Sequence, residues 1–458
     1  MLKDLRGIKH YSQLLNRLSR HPEEAEILGF NTKMTRQSMS VFTLGKLTQE
    51  IEDLIVVAVD HIRDKAKETG KLLDVYFLDE SGTYKGKSTR TIERRKSEKS
   101  GEVVRVLKRE IFPNLDFPLK SKAKYDKMHF LDLLAYVAYE NVCANQGSKL
   151  MKEDANFNGR VPHSRTLMGY LKLLDKREIE LMFINSFEKV FKIAKMQGFF
   201  NREVDVAIDF TDWLYYGDKN DLGVMEGQTK QGTSHRFRFA TIKIVEKNND
   251  FVLMALPVFK FSDRREVAKR LINYANSKVN VRYFYVDREF FSSTFISLFE
   301  ELGIKYIMPA IKNEKVVKLI ENRKSDFIAY TFTGTARKYD AKMTLVVRKD
   351  EEGKDVCFAT NVPILRLVWS NLFELYGKRW GIETAYRVAK HEFRPNTTSK
   401  NHKIRLYYFL FSSLLYNIWV IVNSIVSVYL FREVVDYRVI TAKLFMKKFY
   451  QAYTETIT

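Results

Sequence analysis

Leu406 to Phe431 runs for twenty-six residues without a charge, and any fold the chain adopts must dispose of that segment. As a helix it is long enough to cross the roughly 30 Å hydrocarbon core of a bilayer. The alternative is a helix enclosed on every side by a protein core. Ser412, Ser413, Asn417 and Ser424 interrupt the apolar character, and no second run of this kind exists in the chain, so a buried core helix is the expectation. At 458 residues, 45 % hydrophobic and 13 % aromatic, the chain has enough apolar material to enclose it. The same composition excludes a disordered or low-complexity chain.

Lys and Arg number 77 against 56 Asp and Glu, a formal net charge of +21. Such a field attracts polyanions, which puts nucleic acid first among expected partners. Cys143 and Cys357 are the only cysteines, too few for a zinc cluster or a disulfide scaffold, and they fit a reducing compartment. The opening MLKDLRGIKHYSQLLNRLSR carries charges every few residues instead of a secretory apolar stretch. A cytoplasmic, prokaryotic setting is expected.

Periodicity divides the chain. Residues 1–120 read as helical and basic, a DNA-binding region, with a strand-like LLDVYFLDE and ten Lys or Arg between Lys85 and Arg109. That run suits a solvated helix face as well as a phosphate-contacting arm. Residues 121–200 are helical again. There Ser164 is placed to cap a helix with Leu167, Leu171 and Leu174 inward and Arg165 and Lys172 outward, a candidate second helix of a helix-turn-helix. From 201 the period shortens to that of strands: EVDVAIDF, HRFRFATIKIVE and DFVLMALPVF, then helix, VRYFYVD, helix and KYIMPA. This β-β-β-α-β-α-β order predicts an α/β domain over 201–325 and 362–440. A hairpin-like insertion is expected at 326–361 and a tail at 441–458.

Two carboxylates are expected at strand ends, Asp209 after VDVAI and Asp287 after VRYFYV. A lone Asp there is as readily a turn residue. Because first and fourth strands of such an order commonly neighbour each other, the pair should converge. In YGKRWGIETAYRVAK, the residues Tyr376, Arg379, Glu383 and Lys390 fall on one helical face, with Arg387 one turn beyond Glu383. Composition alone would produce that class pattern roughly 0.08 times in a chain of this length, so chance is a minority explanation. Three convergent carboxylates flanked by cations suit Mg²⁺ or Mn²⁺, with two ions assisting an in-line displacement at phosphorus. Arg236 and Arg238 share a strand face near the same strand ends, as a phosphate track or a solvated face. Trp213, Tyr215 and Tyr216 are candidates for base stacking, with aromatic core the more frequent outcome.

On IDFTD around Asp209, VDREFFS around Asp287 and the intact Tyr-x2-Arg-x3-Glu-x6-Lys spacing, the sequence resembles insertion-sequence transposases of the DDE type. The resemblance implies an RNase H-like catalytic domain carrying a β-rich insertion, with Asp209, Asp287 and Glu383 as the metal-binding triad. It further implies that Tyr376, Arg379 and Lys390 contact element-end DNA, and that two ends are synapsed by at least a homodimer. It also favours the core reading of Leu406–Phe431 and no membrane. An RNase H-like nuclease without strand transfer, or a non-catalytic DNA-binding protein, remain the alternatives. With a net charge of +21, DNA affinity should fall steeply between 50 and about 200 mM salt. A flat salt titration by fluorescence anisotropy would remove the polyanion argument.

Overall fold

The computed structural model describes residues 89–452 except 156, 158, 222, 334–339, 364–371, 432–433 and 436. The helices expected before residue 70, the strand at 72–80 and the first part of the basic run lie outside the described residues. The chain divides into two compact units, Met1–Ile92 and Glu93–Thr458, and every described strand belongs to the second.

Nine strands make one mixed sheet: β1 Val204–Leu214, β2 Met225–Lys230, β3 Thr233–Ile244, β4 Val252–Val258, β5 Val281–Val286, β6 Tyr306–Pro309, β7 Phe327–Thr333, β8 Asp340–Lys349 and β9 Asp355–Thr360. Their order is β2-β3-β1-β5-β6-β9-β8-β7, with β4 also on β3. β3 is long enough to take β2 near Arg236 and β4 from Arg238 to Lys243 along one edge. β1 is antiparallel to β3 and parallel to β5, so it lies at the centre of the sheet. Covered on both faces, its Val204–Ile208 stretch is wholly buried, which explains its nearly continuous apolar run.

Helices flank this sheet. Before it come α1 Thr89–Ile111, α2 Lys127–Glu140, α3 Ala144–Glu153, α4 Ser164–Leu173 and α5 Lys176–Met196. Between strands lie α6 Arg264–Lys278, α7 Ser293–Glu301 and α8 Glu314–Glu321. After it come α9 Leu372–Gly377, α10 Trp380–Val388, α11 His402–Phe431 and α12 Ala442–Gln451. On α1 the basic run is partly neutralised by its own acids, Lys96 on Glu93 and Lys99 on Glu102, while Lys108 turns inward to Asp132. Leu167, Leu171 and Leu174 are buried as expected. The cap of α4 is His163, whose ring accepts from the Arg165 N–H, and residues 154–163 join α3 to α4 in place of a short turn.

The uncharged run is α11, and 78 % of its most apolar stretch is buried inside the protein. Among the described residues the Tyr407 and Tyr408 hydroxyls on it are buried without a partner, but Ser412, Ser413, Asn417 and Asn423, which interrupt the run, find partners inside the protein. Asn417 donates to the Val252 carbonyl and accepts from the Val252 N–H, both at 2.8 Å, and so pairs the edge of β4 as a further strand would. Asn423 accepts from the Ile440 N–H at 2.8 Å, and Ser412 and Ser413 bond the Phe409 carbonyl.

Four features differ from expectation. β1 continues past Asp209 to Leu214, because β3 pairs it along its whole second half. β2 arises from polar sequence without alternation, and α8 is a short amphipathic helix, burying Val316 and Ile320, that was not expected. Residues 326–361 hold the expected hairpin, β8 and β9 with Gly353 (φ +78°) in the turn, but β9 also pairs with β6, so the segment extends the main sheet. Residues 442–451 form α12, which buries Phe445 and Phe449, where a tail was expected.

One buried charge ties the sheet to the helices after it. Asp205, fully enclosed on β1, accepts two hydrogen bonds from Arg282 (2.8 and 2.7 Å), one from Tyr285 (3.1 Å) and one from Lys378 (2.9 Å). Burial opposes its charge, but these partners win and hold its pKa below the ordinary value. Asp205→Ala would leave Arg282 and Lys378 with only their longer contacts to Glu246, at 3.6 and 3.8 Å, and with solvent. Chemical denaturation should show a loss of about 3 kcal/mol, and an unchanged midpoint would contradict this role.

Candidate active site

The β1–β5 pairing ends at Ile208 opposite Val286. Asp209 and Asp287 are the next residues on neighbouring parallel strands, about 4.8 Å apart across the ladder. Each carboxylate accepts the N–H of the residue after it, Phe210 at 2.8 Å and Arg288 at 2.7 Å. Phe210 and the buried Phe290 stack with ring centroids 5.1 Å apart, which fastens the two Asp-bearing segments together.

The expected single helical face is built from three pieces. Tyr376 is on α9, Arg379 at the junction before α10, Glu383 in the first turn of α10, and Lys390 in a π-helical turn, Ala389–Phe393. Two buried contacts fix the junction to the sheet: Lys378 reaches Asp205, and Lys243 of β3, fully buried, donates to the Gly381 carbonyl at 3.0 Å. Tyr376 donates to the Val286 carbonyl at 3.3 Å, beside Asp287.

Arg379, only 6 % exposed, lies between two of the three carboxylates. It donates to Glu383 at 2.6 Å and stands 3.6 Å from Asp209. Burial works against its charge, but Tyr376, Asp209, Asp287 and Glu383 together raise its pKa. Asp209 responds in the opposite sense. Burial pushes its carboxyl up to about 7; Arg379 and the Phe210 N–H pull it down, and Asp287 and Glu383 add to the rise. Three carboxylates therefore share one patch with a single guanidinium.

Arg236 and Arg238 are occupied within the protein. Arg236 binds Asp212 at 3.0 Å, while Arg238 holds Asp212 at 3.1 Å and Glu289 through two bonds of 2.9 Å. Arg387 and Lys390 are exposed and line a cavity beyond Glu383. Tyr215 belongs to the core and Tyr216 is exposed. Sequence reasoning missed Tyr386, whose hydroxyl bonds Thr241 and the Asp209 carbonyl (3.2 Å), although it lies three residues beyond Glu383 on the same face. It also missed Asp205 and Lys378, since nothing in their neighbourhoods marks a long-range ion pair.

The donors at this patch are hard carboxylate oxygens, the kind that hold Mg²⁺ or Mn²⁺. Among the described residues no three ligating side chains are closed on one point as the chain stands. The Arg379 guanidinium stands in for a cation between Asp209 and Glu383, so the patch selects positive charge.

Residues 201–417 match the family described as the transposase DDE domain. Over that span the chain is similar to the DDE-type transposases. No curated relative matches it. The matched span starts just before β1, includes Asp209, Asp287 and Glu383, and ends at Asn417 on α11.

Folding favours the protonated form of Asp209, because its pKa rises from 3.8 to about 7. The unfolded chain gives up this proton first, so the native state loses relative stability as pH rises from about 4 to about 7. Asp209→Asn should match the wild type near pH 3.5 and exceed it at pH 8 in denaturant titrations. Equal stability at both pH values would contradict the buried-carboxyl assignment.

Proposed function

We propose that this chain is a DDE-type transposase that cuts the ends of an insertion sequence by metal-dependent hydrolysis and joins the freed 3′-OH ends to target DNA. The observation that carries the proposal is the meeting of Asp209, Asp287 and Glu383 around Arg379 at the end of the β1–β5 pairing. The strand order β4-β3-β1-β5-β6, with β1 and β5 parallel, supports an RNase H-like catalytic core.

Asp209, Asp287 and Glu383 would hold Mg²⁺ or Mn²⁺, as two ions, which when bound supply activation of the attacking oxygen and stabilisation of the leaving one. The chain's own groups do the rest. Lys378 and Lys243 hold the α9–α10 junction so that Glu383 faces the strand ends. Tyr386 holds the backbone of Asp209. Arg379, Tyr376, Arg387 and Lys390 grip backbone phosphates, with Arg379 exchanging its carboxylates for phosphate oxygens as DNA arrives. Synapsis of two ends calls for at least a homodimer, acting in the cytoplasm on chromosomal or plasmid DNA.

Hydrolysis and strand transfer use the same carboxylates and differ in nucleophile, so joined products separate a transposase from a nuclease without strand transfer. The test is cleavage of a supercoiled plasmid carrying the protein's own flanking DNA, with Mg²⁺, Mn²⁺ or EDTA. Metal-dependent cuts at the element ends and joined products are expected. Asp209→Asn, Asp287→Asn and Glu383→Gln should each lower cutting by at least about 10³-fold while circular dichroism and DNA binding stay near wild type. Cutting retained by any one of them removes that residue from the triad, and binding without cutting in the wild type would favour a non-catalytic end-binding protein.

A further inference from the structure

Around the carboxylates, cations held inside the molecule have acidic partners: Lys243 has Asp250, Arg282 and Lys378 share Asp205, and Arg379 has Glu383. Arg394 and Arg405 are different. Both guanidinium groups lie over Trp213, at 3.8 and 4.8 Å from its ring centroid. Arg405, buried, donates only to the Ser399 and Leu214 carbonyls, at 2.9 and 3.3 Å. Arg394 makes no hydrogen bond or ion pair among the described residues, and its Nε is buried without a partner. Burial and then Arg405 lower its pKa to about 10, and no acid offsets them. With Arg405 buried and Arg394 half-buried against one ring, and no carboxylate beside them among the described residues, the unpartnered Arg394 is costly unless an anion completes it.

Beside Arg394 is a cavity of about 200 Å³ lined by Thr211, Trp213, Arg387, Lys390, His391 and Arg394 among others. Its acid, Asp212, is held by Arg236 and Arg238, and its buried Lys243 by Asp250. Asp209, Thr211 and Trp213 share one face of β1, so the cavity begins next to the carboxylates and ends about 13 Å along the strand. We propose that this cavity is an anion subsite centred on Arg394, and that its ligand is a phosphate of the DNA strand leading away from the carboxylates. The anion follows from the unpaired Arg394 guanidinium alone; its identity as DNA rests on the transposase reading.

Arg394→Gln and Arg394→Lys test this in EDTA, where no cutting occurs. Inorganic phosphate, against chloride at matched ionic strength, should raise the melting temperature of the wild type but not of Arg394→Gln. In titrations with an element-end duplex, Arg394→Gln should bind several-fold more weakly and lower the slope of log affinity against log salt by about one. Arg394→Lys, which keeps the charge and loses the planar stack, should keep the slope. Phosphate stabilisation with an unchanged DNA slope would overturn the DNA assignment, and neither effect would overturn the subsite. Because these are binding measurements, a wild type that binds DNA with the Arg394 effect but never cuts would sink the transposase reading alone. Arg394→Gln binding like a cutting wild type would sink the subsite alone.

Discussion

The carboxylate of Asp205 is closed off from solvent at the start of the central strand, where an isolated charge would be intolerable. Its four hydrogen bonds come from β5 and from the α9–α10 junction, so compensating one buried charge sets the distance between those elements. The parallel pairing of β1 with β5 brings Asp209 beside Asp287. Lys378 brings the junction, and with it Glu383, to the same strand. A hydrophobic contact could slide by a fraction of an ångström; a bidentate Arg–carboxylate pair with two further donors cannot. The relative placement of the strand ends and Glu383 is thus set at Asp205, four residues before Asp209 on β1, by groups other than the three carboxylates.

At the carboxylates the balance is the reverse. Asp209 is raised to about 7 because burial and its two acidic neighbours outweigh Arg379. Protonation of one carboxyl and an internal guanidinium are the two ways in which the free protein relieves a surplus of negative charge. Either is displaced by a stronger source of positive charge, and the donors there are the hard oxygens such a source would need. Under the proposed function the anions that take over the Arg379 guanidinium are DNA phosphates, which a chain with a net charge of +21 would attract.

How much of this was readable depends on the range of each interaction. Elements set by local pattern were legible: β5 from VRYFYV, α6 after Asp263, α7 ending before Gly303 in the left-handed region, and the buried leucines of α4. The convergence of Asp209 and Asp287 was legible through strand order. The end of β1 was not, because its polar second half is held by β3 and not by its own pattern. Neither was the break between α9 and α10, since spacing in sequence does not reveal that Asp205 and Lys243 anchor Lys378 and Gly381 across the fold. Arg236 and Arg238 looked free only because Asp212 and Glu289 lie on other strands and turns.

The uncharged helix belongs to the same account. Beyond Lys403 and Arg405 in its first turn α11 carries no charge, yet it holds Tyr416, whose hydroxyl bonds Asp250 and accepts from Lys243 at 3.1 Å. Lys243 in turn holds the Gly381 carbonyl. A path of satisfied polar groups therefore runs from the centre of the core helix to the start of the helix bearing Glu383. Asp250, shared by Lys243, Tyr416 and Arg438, keeps that path charged and paired: its pKa is driven far below the ordinary value because Lys243 and Arg438 outweigh the burial that opposes its charge. An apolar helix of bilayer length is what a sheet this wide needs to cover its face, and its few polar side chains are where the cover is registered against the strands. Without them α11 could slide along the sheet at little cost in buried area, and the position of Glu383 would slide with it.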